Sequence, residues 1–347
     1  MTGITNKRVV AGSAGLVALV LVLGYLALAI GHVWLPPGEI GSALFSPERD
    51  DISRQIVREI RLPRIATALL AGAALGVGGV LMQALFRNPM ADPWSLGLTA
   101  GGQLGVALAV AAAAFAGPAA LSFLGAFQGL SLTVAAGIGV AVAASLMLML
   151  GRRLNTVSLL VVGLMTWFTS QGLVSVIMHF ASRAGGRIYS GWNDGNFAGV
   201  TTGELPVLAA PVVLGLIGAV LVAKPLTSLL LGETYARSLG VDLGRVRVGT
   251  LAAAVLLVAP VTAYCGPVTF VGLIVPHFAR ALAGTARVGS LLPLAALAGA
   301  ALALAADLVV HLPWPQHFLH LNAVLAIVGA PVVIALLIYS PSMRGSR

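Results

Sequence analysis

The sequence predicts an all-α polytopic membrane protein with about ten transmembrane helices. Three observations carry this. Hydrophobic residues make up 59% of the 347 and charged residues only 9%, whereas a soluble domain is roughly 45–50% apolar and about 25% charged. The mean hydropathy is +1.00. Long apolar runs recur from end to end, each near the roughly 20 residues a helix needs to cross a hydrocarbon core about 30 Å thick. Residues 1–347 are read as one transmembrane domain, with a polar loop at 225–247 inside it.

Lys7 and Arg8 precede an apolar run from Val9 to Ile30. It exceeds the roughly 7–15 residues of a signal-peptide core and reads as a retained first span, 9–32. The other spans are expected at 62–86, 95–115, 120–150, 156–180, 204–223, 246–265, 268–283, 290–311 and 321–339. The stretch "GPVTFVGLIVPHFAR" at 266–280 carries two prolines and predicts a broken or short helix, tolerated at membrane depth only where protein or a wet cavity covers it. Between spans, 33–61 mixes charge with Pro36 and Pro37, and 48–60 suits a short surface helix. Residues 181–203, rich in Gly, Asn and Trp, read as a loop, and Pro225 as the start of another.

Alternating ten spans from a cytoplasmic N-terminus puts 13 of the 20 basic residues inside: Lys7, Arg8, Arg87, Arg152, Arg153, Lys224, Arg237, Arg245, Arg247, Arg280, Arg287, Arg344 and Arg347. Seven remain outside, matched there by seven acids. The positive-inside rule favours this arrangement, with both termini cytoplasmic. It also accounts for the net charge of +9 without nucleic acid, because the basic residues are scattered between apolar runs. Small residues spaced four apart in "AGAALG" (71–76) and "GGQLG" (101–105) predict close helix contacts in lipid. Cys265 is the sole cysteine, which excludes an intrachain disulfide or paired-thiol metal site; it reads as a small buried hydrophobe.

The polar loop concentrates charge that the chain otherwise avoids: Glu233, Arg237, Asp242, Arg245 and Arg247, with Lys224 just upstream. Gly232 and Gly240 bracket a short helix. Glu233 sits in its first turn, where a carboxylate suits the positive helix end, and Glu233 and Arg237 are i,i+4 partners. Leu231, Tyr235 and Leu239 form an apolar stripe, and Gly240 is placed for a left-handed helix end. One or two turns are marginal in isolation, so something holds this helix. Physics alone leaves open whether that is lipid or a soluble partner.

The island resembles the coupling-helix loop of FecCD-type permease subunits of bacterial ABC importers for iron chelates, haem and vitamin B12. The same resemblance runs through "RLPRIATALLAGAALGVGGVLMQALFRNPMADPWSLGLTAGG" (61–102), "GPVTFVGLIVPHFAR" (266–280), "LLPLAALAGAALALAADLV" (291–309) and "VGAPVVIALL" (328–337). It implies the type II importer permease fold and a homodimer with alternating access at its interface. It also implies two cytoplasmic ATPase subunits holding ATP and Mg, and a periplasmic binding protein that delivers substrate. The expected setting is the bacterial inner membrane. The implied cargo is an iron chelate, siderophore or haem; a vitamin B12 permease is the alternative.

On that resemblance Leu231, Gly232, Glu233, Tyr235, Ala236, Arg237, Leu239 and Gly240 would couple to the ATPase. Arg61 and Arg64, in "RLPR", would grip acids of the binding protein, with rim charges acting mainly on encounter rate. His311 stands where cobalamin-type members carry a third docking arginine. Asn155, Thr156 and Ser158 fall where the family places its cytoplasmic gate. The region "HFLHLNAV" (317–324) replaces a Glu-Leu-Pro-x-Gly stretch. With His311 it forms an outer histidine cluster of His311, His317 and His320, and both departures weigh against the cobalamin type. From the residues themselves, Asp307 and His311 are i,i+4, and His277, Gln83, Asn88 and Asp92 read as structural.

Other classes fare worse. Neither lysine, Lys7 or Lys224, lies in a G-x-x-x-x-G-K-[ST] loop, so no such ATP site belongs to this chain, and no cofactor is expected in it. H-E-x-x-H and G-x-S-x-G are absent, which excludes those enzyme classes. A secondary transporter needs coupling groups near the midplane; Asp307, the only acid expected inside a span, sits near one end.

Overall fold

The fold is that of a computed structural model, described over residues 2–31, 33–45, 52–120, 122, 128–314 and 319–339. Every regular element among these residues is helical. After α1 (Thr2–Ala29) come α2 (Pro37–Phe45) and α3 (Ile52–Gln55), which runs through a π-helical turn (Ile56–Arg61) into α4 (Leu62–Phe86). A 3-10 turn (Pro93–Leu96) leads to α5 (Leu98–Ala116), α6 (Gln128–Gly151), α7 (Thr156–Phe180) and α8 (Arg183–Asn193). Then follow α9 (Leu205–Leu229), α10 (Glu233–Ser238), α11 (Leu243–Cys265), α12 (Val271–Ala283), α13 (Val288–Val310) and α14 (Leu321–Tyr339). Among the described residues, eight helices are long and apolar enough to cross a membrane; α12 and the Leu321–Ala335 part of α14 are shorter apolar helices. Together they occupy the places of the ten expected spans.

α4 is the hub. It is buried at every position from Ala74 to Leu85, as expected of a helix apolar all round, and α9, α11, α12 and α13 surround it. Small residues set the approach, as expected from "AGAALG" and "GGQLG". A Cβ added at Gly72 would collide with the Gly299 carbonyl, and one at Gly76 would lie 2.5 Å from the Ala295 carbonyl oxygen. Gly101 meets Gly139 in the same way. Gly72→Val is therefore expected to cost at or beyond the upper end of the roughly 1–3 kcal/mol of overpacking and to abolish the monodisperse peak on size exclusion. Gly38→Val, where nothing lies within 4 Å, should leave that peak intact; equal behaviour of the two variants would refute the close-contact reading.

Three loop expectations are corrected. Residues 52–61 are not a separate surface helix but run continuously into α4, while 46–51 lie outside the described residues. Residues 183–193 form α8, started by Ser182, whose hydroxyl accepts from Gly185 N at 3.1 Å. Pro225 lies inside α9, which continues to Leu229, and the buried residues Ala223, Leu226 and Leu229 on that stretch pack the helix against the bundle through the proline.

The expected break before α12 is present. The chain is non-helical from Gly266 to Phe270, with Gly266 at φ 72 and Phe270 at φ 64. Asn322 of α14 covers it: its amide donates to Pro267 O (2.6 Å), and its Oδ1 accepts from Thr269 N (3.1 Å) and Thr269 Oγ1 (3.2 Å). Protein thus satisfies the exposed backbone, as irregular chain at this depth requires.

Candidate functional site

α10 projects from one end of the bundle, beyond the C-terminus of α9 and the N-terminus of α11. Gly232 starts it at φ 113 and Gly240 ends it at φ 77. Gly240 N donates to Arg237 O (2.9 Å) and Val241 N to Ala236 O (3.1 Å), the paired bonds of a Schellman ending. Ala236 is fully buried and anchors the turn, whereas Leu231, Tyr235 and Leu239 are 69%, 48% and 57% exposed. The apolar stripe therefore faces away from the bundle and is free for another surface.

The i,i+4 pairing of Glu233 with Arg237 does not form. Arg237 is exposed and has no acid partner among the described residues. Glu233 turns inward instead: its Oε1 lies 3.8 Å from Arg247 Nη2 of α11 and accepts from Thr156 Oγ1 of α7 at 3.4 Å. Arg247 also donates to the Leu154 carbonyl just before α7. A helical turn offers only local partners, and here tertiary partners outcompete them. Asn155 caps α7, accepting from Ser158 N at 2.8 Å. The three expected gate residues, Asn155, Thr156 and Ser158, thus sit on the first turn of α7, and one of them touches the expected coupling helix.

At the opposite end, Arg61 and Arg64 lie at the entry to α4 as expected, but their side chains point inward. They are only 4% and 5% exposed, which corrects the expectation of an exposed rim pair. Arg61 donates to the carbonyls of Leu28 and Val33 and fastens the exit of α1. Arg64 Nε lies 3.1 Å from Asp307 Oδ2, yet neither atom makes an aligned hydrogen bond, so the contact is coulombic. His311, the C-cap of α13, places Nδ1 2.9 Å from Asp307 O and 3.3 Å from Asp307 Oδ1. His320 Nδ1 lies 3.5 Å from Asp194 Oδ2. His317 lies outside the described residues, and among those described no group of three or more His, Cys, Asp or Glu could hold a metal.

Sequence reasoning missed a polar chain between the helices at this end. Gln171 of α7 donates to Gln103 of α5, Gln103 donates to Asn193 of α8 at 2.7 Å, and Asn193 O accepts from Asn322 at 3.3 Å. The available signal was an amide side chain inside an apolar run, since such groups need partners in lipid. In "MQALFRNPMADP", Asn88 Oδ1 accepts from Met90 N at 2.9 Å and caps the turn, consistent with its structural reading. Gln83 reaches instead to α12, donating to Leu273 O at 3.1 Å and accepting from Arg280. His277 holds Pro89 O at 3.0 Å, consistent with its structural reading.

A family model, the FecCD transport family, matches residues 19–339. The chain belongs to the FecCD transport family. Among its relatives is the vitamin B12 import system permease protein BtuC of Vibrio cholerae, 34% identical over 327 residues, which cover 93% of this chain and 92% of that one. The same-named protein of Klebsiella pneumoniae is also 34% identical, over 94% of this chain and 93% of its own. A solved structure described as an inward-facing metal-chelate type ABC transporter superposes with a TM-score of 0.77 at 26% identity, covering 96% of this chain and 99% of that one.

This FecCD-family chain is therefore a polytopic ABC importer permease with the type II permease fold. The family brings the two ends of the molecule into one frame: an exposed apolar turn tied to the start of α7 at one end, and a buried charged cluster at the other. The iron-chelate expectation does not gain from these relatives, which are named for vitamin B12.

Proposed function

We propose that this permease forms a homodimeric conduit that imports a bulky metal chelate of the cobalamin class across the bacterial inner membrane. Two cytoplasmic ATPase subunits, holding ATP and Mg, dock on α10, and a periplasmic binding protein supplies the opposite end. Both termini lie in the cytoplasm, and the chain itself holds no cofactor. The carrying observation is the geometry of α10: its apolar side chains face outward while Glu233 engages Thr156 and Arg247. A partner pressing on that turn moves the start of α7, where the gate is proposed. Whole-length similarity to vitamin B12 permeases supports the cobalamin class. Docking of the binding protein on Arg61 and Arg64 would require both guanidiniums to swing out of their buried positions; the half-buried His311 is nearer the surface.

A second reading, an iron chelate, is favoured by His311 standing in the place of a docking arginine; the neighbour described as metal-chelate type fits either cargo. Reconstitution with the ATPase and binding protein in liposomes separates them. ATP-dependent uptake of cobalamin, with none of a ferric siderophore or haem, is expected; the reverse preference refutes the cobalamin assignment. A thiol introduced at Ser238 should react with an impermeant reagent only from the cytoplasmic side, and labelling from outside refutes the orientation.

A further inference from the structure

A cavity of about 530 Å3 opens between α4, α9 and α13, at the same end of the bundle as α10. Its character changes along its length. At the helix ends it is cationic and hydroxylic, with Lys224, Ser228 and Arg287. Lys224 and Arg287 are exposed and, among the described residues, neither has an acid partner; the lining contains no acid. Toward the interior it is apolar, with Leu216 and Ala219 of α9 and Leu292 and Ala296 of α13. Lys224 to Leu216 is about 12 Å along the helix at 1.5 Å per residue. Val220 also lines it, and beside it α9 presents Ile217 and Leu221 as exposed apolar residues on a helix long and apolar enough to cross a membrane.

We propose that this cavity binds an anionic phospholipid. An acyl chain lies along the apolar length, and the phosphate sits between Lys224 and Arg287. The occupant must be apolar along about two turns of helix and negatively charged at one end, at the depth of a membrane surface. Basic pockets between transmembrane helices suit anionic head groups for that reason. A soluble anion would fill only the cationic end, and an apolar transmembrane helix would leave the two cations without a counter-charge.

Native mass spectrometry of the purified full-length chain tests this, with phosphatidylglycerol and phosphatidylcholine of identical acyl chains as probes. Wild type should retain one phosphatidylglycerol under activation that strips phosphatidylcholine. Each of Lys224→Gln and Arg287→Gln should weaken retention about fivefold, and the double variant about thirtyfold. Ala296→Phe, which fills the apolar part and keeps both cations, should weaken it as well. Arg153→Gln, a cation at the same end outside the cavity, should change nothing. Equal retention of the two lipids, an unchanged double variant, or an equal loss in Arg153→Gln overturns the proposal. So does full displacement by inorganic phosphate, or an Ala296→Phe variant that changes oligomeric state while keeping the lipid.

Discussion

Asp307→Ala is expected to lower the unfolding free energy in mixed-micelle denaturation by about 3–5 kcal/mol, the usual cost of stranding one member of a buried ion pair. Asp307 is 1% exposed and Arg64 5%, so removing the carboxylate leaves a nearly buried guanidinium without its counter-charge. The 3.1 Å contact lacks an aligned hydrogen bond, so its attraction only partly offsets the desolvation of both groups. Replacing the pair by apolar side chains should then be nearly neutral. The double variant Arg64→Met with Asp307→Leu should unfold within about 1 kcal/mol of wild type. A single variant as stable as wild type would show that the two charges do not share a dry site. A double variant as damaged as the single one would show that aligned bonding, not charge burial, holds the mouth of α4 together.

The pair also marks the limit of what the sequence conveyed. Asp307 and His311 were visible as i,i+4 neighbours because helical period is a local property, whereas Arg64 comes from a helix far away in the chain. The same holds for Glu233, whose local partner Arg237 lost to Arg247 and Thr156 across the turn. Elements with a strong one-dimensional signature read well: α4 and α7 match the expected limits, 62–86 and 156–180. Gly240 ends α10 as a left-handed residue, and the glycines of 71–76 and 101–105 set helix contacts. α8 was missed because its glycines lower helix propensity, and its Ser182 cap was outweighed by composition. Pro225 reads as a helix end because proline breaks helices in water; in the bundle the buried flanking residues Ala223, Leu226 and Leu229 hold α9 through it. Two departures near His311 steered the substrate reading toward iron, although similarity over more than nine-tenths of the chain is to proteins named for vitamin B12.

Glu233→Arg should cut ATP-driven uptake by the complete importer about tenfold or more while leaving ATP hydrolysis within about twofold. Reversal puts two guanidiniums about 4 Å apart where Glu233 now lies 3.8 Å from Arg247. Their repulsion is about 1–4 kcal/mol depending on solvent access, and about 1.4 kcal/mol already corresponds to a factor of ten. The turn would still present Leu231, Tyr235 and Leu239, so ATPase binding should persist while its motion no longer reaches Thr156. Arg247→Glu in the same chain restores the opposite charges and should recover most of the uptake. Arg237→Glu provides the contrast, because Arg237 is exposed and has no acid partner among the described residues: it should weaken ATPase association, seen in pull-down, without altering uptake per bound ATPase. If Glu233→Arg transports at the wild-type rate, or if the charge swap recovers nothing, then force does not pass through the Glu233–Arg247 contact. The connection between α10 and α7 would then have to run through the buried Ala236 anchor instead.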